Sequence, residues 1–483
     1  MLVTALAAIA IVTQDQSALR AAPRDSAAQQ AMFWQGDTLE IRGEKGDFLQ
    51  VYDHRRERGG YVRASQVRVQ PLTPEAAPDL LGTVRFLKDM PGTEALGMAY
   101  AAAYLRAAPA PAIHSDVFDA LSAMSERLAN RATAGRPGKA GEALSAHLEV
   151  AASHGVTMTS FERDGQIQLC PNGDAARRVL ALPATDLQKA QAALSLTRHE
   201  CVSPALTPTE RFALDNWRAE VLDRVQTARL PPVWQNRLHL RKAGVWASLT
   251  YQRARRSEPG APAVAEAAHR AIDALAAANP QELMESDAAA RNDAAIRVGA
   301  SRWGAVPAIT PTATPPAPGK DGRPTIVLTA GEPGETCVNL VDATHDARQP
   351  LLRRCTWGIV WQASLAVSPQ GDALALAVQP LDQWREMWVF RQTGSGNGWQ
   401  VDAVPPGTEA GAPGYIEFAG WVPNTRLMLA AREVQTGGRH RTTFETLHLA
   451  TLATEKQADQ PSSLSAFYRW QNPLWKAGTV SLR

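Results

Sequence analysis

The chain has 483 residues, with 50 Lys+Arg against 48 Asp+Glu and a net charge of +2. At about 100–200 residues per domain this length implies about three domains, and the even charge balance argues against a nucleic-acid module, which carries a basic excess on one domain. Hydrophobic residues are 45%, and no apolar run reaches ~18 residues, so a buried core is expected and an internal membrane-spanning helix is not.

Residues Leu2 to Val12 read LVTALAAIAIV, uncharged throughout. This suits the apolar region of a secretory signal, with Ala8-Ile9-Ala10 as a small-x-small cleavage site. Residues 1–10 are therefore expected to be a signal-peptide remnant. Nothing cationic precedes Arg20, so two readings stay open: the start codon lies upstream with Met1 inside the signal, or Ala8–Gln14 is the first strand of the next domain.

From Ile11 to Val69 short strands alternate with Gly turns. Leu39 and Ile41 share a face, Lys45-Gly46-Asp47 is a turn, Phe48, Leu49 and Val51 open the next strand, and Arg58-Gly59-Gly60 turns into Tyr61-Val62. The order of these segments resembles the bacterial SH3 (SH3b) family. Ala18-Leu19-Arg20-Ala21-Ala22-Pro23 matches its "NVRSGP" segment, Gln35-Gly36-Asp37-Thr38-Leu39-Glu40-Ile41 its "KGxxVxV", Asp47-Phe48-Leu49-Gln50-Val51 its "GWxxV", and Gly60-Tyr61-Val62 with Ser65-Gln66-Val67 its "GWVxxxYL". Ala22 replaces a glycine of the pattern, and Phe48 and Tyr61 replace its tryptophans. The resemblance implies an SH3-like β-barrel over 11–70 that binds cell-wall peptide or a protein partner. Arg20, Trp34, Tyr52 and Tyr61 are the candidate ligand-binding residues, since aromatics on a barrel surface stack on ligands. Phe48 and Tyr61 are read as core residues first.

After Pro71, Pro74 and Pro78, helical patterns predict an all-α domain over 79–302. Ser115 is placed to cap a helix carrying Val117, Leu121, Met124 and Leu128 on one stripe. Gly141–His154 gives another helix, ended by Gly155. Thr207-Pro208-Thr209-Glu210 is a start signal with an N-cap Thr, Pro at N1 and Glu at N3. Asn236–Arg256 and Ala263–Ala278 read as an antiparallel helix pair. Asp164-Gly165 between two short alternating runs predicts one hairpin near 161–170.

The proline-rich stretch PAITPTATPPAP within 303–323 reads as a semi-rigid linker, which implies a spatially independent C-terminal domain. Residues 324–483 are predicted all-β, and eight of the 13 tryptophans lie between Trp357 and Trp475. Two segments repeat, ASLAVSPQGDALALA from Ala363 and EFAGWVPNTRLMLAA from Glu417, each running into an apolar strand. This pattern resembles TolB- and WD40-type β-propeller blades. At ~40–45 residues per blade, however, the region is too short for four. The fold class is thus multidomain α+β: SH3-like barrel, central helical domain with one hairpin, and a β domain with propeller-blade-like repeats.

The four cysteines form two local pairs, Cys170/Cys201 and Cys337/Cys355, separated by 31 and 18 residues. An even count with each pair inside one domain suits two disulfides in an oxidising compartment. The chain has no GxSxG, GxxxxGK[ST], GxGxxG or HExxH motif, and no cofactor or metal is expected. The expectation is an exported, periplasmic, non-enzymatic binding or scaffold protein of a Gram-negative envelope, whose partner is a peptidoglycan peptide or an envelope protein. It has no nucleic-acid partner and no integral membrane span. The alternatives are an envelope enzyme with its site between helical and β domains, and a cytosolic scaffold with free thiols.

Overall fold

The computed structural model describes residues 8–135, 138–163, 165–256, 260–306, 323–393, 398–408, 412–436 and 439–478. They belong to two compact units, Met1–Leu206 with Arg224–Leu230, and Thr207–Asp223 with Pro231–Arg483.

The first unit opens with β1 (Ala8–Val12), β2 (Ser17–Arg20), β3 (Gln29–Phe33), β4 (Thr38–Lys45), β5 (Phe48–Asp53), β6 (Arg58–Arg63) and β7 (Val67–Pro71). They form one antiparallel sheet in the order β3-β2-β6-β5-β4-β1-β7, and its pairing does not close on itself. β1 pairs with β4 on one side and β7 on the other. Its sequence, AIAIV, lacks polar alternation because both faces are covered. Ile9 and Ile11 pack into the helical core, whereas Ala10 and Val12 pack with Leu19, Phe33, Leu39, Val51 and Val62 inside the sheet. Ala8–Ala10, read above as a cleavage site, is paired backbone in an interior strand, as the competing reading of Ala8–Gln14 has it. Residues 1–7 lie outside the described residues.

Helices α1 (Ala77–Lys88), α2 (Glu94–Ala107), α3 (Ser115–Thr133) and α4 (Lys139–Ser153) follow. Then come the hairpin β8 (Met158–Arg163) and β9 (Gln166–Pro171), and α5 (Asp174–Ala181) and α6 (Asp186–Leu196). The cap of α3 is His114, not Ser115: His114 Nδ1 accepts from the Asp116 N–H at 3.3 Å, and Ser115 is already helical. Inside the helical layer Glu94 is fully buried, accepting from the Gly92 N–H and from Arg127 and Arg131. Burial opposes its charge, but these donors hold its carboxyl below the ordinary value.

Cys170 on β9 is bonded to Cys201, just beyond α6, pinning hairpin to helix across a sequence separation of 31. Cross-linking a loop of that size stabilises by about 3–4 kcal/mol in the chain-entropy model. Cys201→Ala is therefore expected to lower the unfolding free energy of the unreduced protein, read from urea titration, by that much. A reductant should do the same to the parent chain and leave the variant's first unit unmoved.

The second unit begins with helices, α7 (Pro208–Asp223), α8 (Pro232–Arg256), α9 (Ala261–Ala277) and α10 (Ala288–Ser301). The predicted start of α7 is present: Thr207 Oγ1 accepts from the Glu210 N–H, and Glu210 accepts from the Thr207 N–H. The β region follows as β10 (Thr325–Ala330), β11 (Thr336–Val341), β12 (Leu352–Thr356), β13 (Ile359–Val367), β14 (Ala373–Leu381), β15 (Trp384–Gln392) and β16 (Trp399–Val404). It continues with β17 (Gly414–Val422), β18 (Leu427–Thr436), β19 (Arg439–His448) and β20 (Thr454–Ala458), and ends in two short helices, α11 (Ser465–Trp470) and α12 (Pro473–Gly478).

β13–β16 and β17–β20 are two four-stranded antiparallel meanders, joined by two parallel residue pairs between β15 and β17. Strands β10–β12 form a separate three-stranded sheet, with Cys337 and Cys355 bonded at directly opposed positions of β11 and β12. The layers stack face to face. In β14 (ALALAVQPL) the larger residues Leu374, Leu376 and Val378 pack against the three-stranded sheet, whereas Ala373 and Ala375 face the second meander. The outer face of the second meander is covered by Phe467 and Trp475 of the terminal helices. Of the tryptophans in this region, Trp361, Trp384, Trp388 and Trp475 are buried, and Trp357 and Trp470 are exposed.

The boundary between the units falls at Leu206, inside the predicted helical domain 79–302, and not at the proline-rich stretch, whose residues 307–322 lie outside the described ones. Buried polar contacts explain why. On the β14–β15 turn Asp382 accepts from Ser248 Oγ at 2.9 Å and Arg211 Nη2 at 3.1 Å, with Arg297 Nη1 at 3.7 Å. Tyr251 donates to the Pro380 carbonyl, and Arg385 on β15 donates to the carbonyls of Gly299 and Ala300. Gly299 has no side chain because a Cβ there would meet the Tyr415 ring at 2.2 Å. Helices 207–301 therefore pack with the β region, which corrects the expectation of an independent C-terminal domain.

Candidate functional site

Strand β5 alternates. Leu49 and Val51 point into the sheet interior, and Phe48, Gln50 and Tyr52 point outward. Directly opposed residues of an antiparallel pair share a face. Tyr61 opposes both Gln50 and Arg20, Arg63 opposes Phe48, and Glu40 opposes Tyr52. The structure thus brings Arg20, Tyr52 and Tyr61, three of the four predicted binding residues, onto one outer face.

Guanidinium groups and rings interleave on that face. Arg42 lies 3.9 Å over the Tyr52 ring and Arg63 5.2 Å over the Phe48 ring. Arg20 Nη1 donates to the Ala27 carbonyl at 3.0 Å, which fixes the guanidinium at the edge of the face. The His54 ring stands edge-on to Tyr52 at 5.0 Å and reaches Glu40 at 2.6 Å. Arg42 and then His54 hold the Glu40 carboxyl below its ordinary value, and Arg63 does the same for Asp25. Arg42 and Arg63 are thus each paired with a carboxylate, while Tyr52 and Tyr61 stay half-buried and Gln50 exposed.

Trp34, the fourth predicted residue, does not join them. It sits in the turn before Asp37, whose carboxylate accepts from the Trp34 N–H, and its ring lies edge-on to His147 of α4 at 6.3 Å. Of the two residues read as core first, Phe48 is buried and Tyr61 is half-buried. Neither belongs to the interior cluster, whose aromatic is Phe33; Phe48 is buried on the other face, under Arg63. Arg42 and Arg63 were not among the predicted residues. Period-two alternation from Phe48 leads to Tyr52, but placing Arg42 requires the register shift between Ile41 and Gly43, which no local sequence signal marks.

Histidines scattered in sequence gain acidic partners in space. His147 Nε2 meets Asp15 at 2.8 Å, and His440 Nε2 meets Glu433 at 2.8 Å. Among the described residues His147 Nδ1 has no hydrogen-bond partner, and Trp34 is the ring beside it. His154, at the end of α4, is pushed down by burial while it contacts the Gly36 carbonyl at 2.9 Å. Among the described residues, one set of three metal-ligand types lies close together, Glu335, Cys337 and Cys355; both sulfurs are in the disulfide, which leaves a lone carboxylate.

The disulfides Cys170–Cys201 and Cys337–Cys355 suit an oxidising, extracytoplasmic compartment. Among the described residues no helix is long and apolar enough to cross a membrane. No family model matches the chain, and no curated protein or solved structure does.

Proposed function

We propose that the protein is an exported, periplasmic binding and scaffold protein of the bacterial envelope. In this reading residues 11–70 act as an SH3b-like barrel module for a cell-wall peptide or envelope protein, and the two meanders are propeller-blade-like repeats. The observation that carries it is the shared outer face of Arg20, Tyr52 and Tyr61. Half-buried rings beside a fixed guanidinium suit a peptide that offers carboxylates and flat amide surface.

The test is co-sedimentation of the full chain with purified peptidoglycan. The parent chain should be retained, and Arg20→Ala with Tyr61→Ala should weaken retention about tenfold, the worth of one charge-assisted hydrogen bond. Trp34→Ala, away from that face, should bind as the parent does. Retention no greater than that of a control protein sinks wall binding.

An envelope enzyme with its site where helices meet sheet finds less support. There Asp382 is engaged by Arg211 and Ser248, and Glu417 by Arg302 and Arg385. Burial opposes charge on Glu417, but the two guanidiniums hold its carboxyl at about 2, too low to take a proton near neutral pH. A cytosolic scaffold with free thiols would yield four alkylatable cysteines in protein purified from its native host; the proposal expects none.

A further inference from the structure

The strongest unexplained feature lies in the second unit, at the end of the two meanders beneath the C-terminal helices. A cleft of about 270 Å³ opens there, lined by Ala366, Ala377, Met387, Ile416, Phe418 and Leu474. In its lining Ser364 Oγ is occupied, donating to the Trp361 carbonyl at 2.6 Å and accepting from the Ala377 N–H at 2.8 Å. Arg302 also lines it, with a side chain only 7% exposed. Its Nε donates to Glu417 and its plane lies on the Trp303 ring, but among the described residues its Nη2 has no hydrogen-bond partner.

Glu417 is the carboxylate shared by Arg302 and Arg385, and all three are more than nine-tenths buried. Its second oxygen accepts from Trp475 Nε1 at 2.9 Å. Among the described residues the two buried cations share one carboxylate, and Arg385 is also met by the Gly299 and Ala300 carbonyls, so a further anion is best placed on Arg302. A monoanion gives these two cations one anionic charge each, while a dianion would exceed them. At roughly 30 Å³ per water-sized group the cleft holds about nine non-hydrogen atoms, and the apolar wall requires that most of them be carbon.

We infer that this cleft is a binding site for a small amphiphilic monocarboxylic acid, its carboxylate on the Arg302 guanidinium and its hydrocarbon body between the meanders. The site is independent of the N-terminal face and of the reading built on it.

Titration calorimetry of the full chain with octanoate and with 1-octanol tests the inference, with Trp303 and Trp475 as fluorescent reporters in the wall. Octanoate should bind at least about tenfold more tightly than octanol, the worth of a hydrogen bond to a charged group. Arg302→Met should bring octanoate to the level of octanol and leave octanol unchanged. Ala366→Phe, which fills the cleft without touching the ion cluster, should abolish both. Equal binding of the two probes, no binding of either, or octanoate binding that survives Arg302→Met in a folded protein overturns it. Circular dichroism is read first, and where the Arg302 variant unfolds, the octanoate-to-octanol ratio of the parent chain decides.

Discussion

Glu417→Ala is expected to destabilise the second unit by about 3–5 kcal/mol, the usual consequence of removing one partner from a buried ion pair. The substitution strands two guanidiniums at once: Arg385 is 0% exposed and Arg302 nearly so. It also takes the acceptor from Trp475, whose ring packs on Phe444 and Phe467, so the terminal helices lose an anchor. Urea unfolding followed by tryptophan fluorescence measures the loss, and a change below about 1 kcal/mol would contradict the network's importance.

The same carboxylate predicts a pH dependence with a definite sign. Its value falls from the ordinary 4.5 to about 2 on folding, so the folded state favours the ionised form. That contribution is complete above the unfolded value and is lost as pH falls from 4.5 toward 2. Glu417→Gln should be less stable than the parent at pH 7 and converge on it across that window. Parallel curves from pH 5 to pH 2 would refute this.

A chain shortened to begin at Thr13 is expected to lose the fold of its first unit. The missing strand supplies five register pairs with β7 and three with β4. It also supplies Ile9 and Ile11 to the helical core and Ala10 and Val12 to the sheet interior. Cutting a single buried Ile back to Ala typically costs 2–5 kcal/mol. Two such residues and a central strand together are comparable with the 5–15 kcal/mol that stabilises an ordinary domain. Ile11→Ala alone should cost about 2–5 kcal/mol and provides the graded control. Limited proteolysis reads the outcome: cleavage throughout the first unit is expected, and a protease-resistant core of unchanged size would refute it.

β1 also shows where sequence reasoning reaches its end. An uncharged run suits both a signal's apolar region and a strand buried on two faces, and only the partners covering each face separate them. β14 is doubly covered too, but its Leu/Ala alternation belongs to a segment that recurs 53 residues later, between Leu374 and Leu427, so both meanders were legible as a repeat. Strong local signals survived as well: the Thr207–Glu210 box, the Asp164-Gly165 hairpin and the two cysteine pairs. The Arg302, Arg385 and Glu417 cluster left no trace, because its members come from three elements and a charged residue in a strand reads as solvent-facing. For the same reason the buried Arg297, paired with Asp293, did not reveal that α10 packs on the β region. The proline run drew the boundary instead. At the N-terminal face, alternation and the family pattern found Arg20, Tyr52 and Tyr61, whereas Trp34 depended on α4, more than a hundred residues away.

The cysteine connectivity has a consequence for biosynthesis. Each bond joins a cysteine to the next one along the chain, Cys170 to Cys201 and Cys337 to Cys355. A chain threaded N-terminus first into an oxidising compartment would present its thiols in the order in which they pair. An oxidase that couples each new thiol to the last one exposed would make both native bonds, with no wrong bond to be reshuffled by thiol–disulfide exchange. Maturation of this protein should therefore require a disulfide-forming catalyst but proceed without a disulfide isomerase.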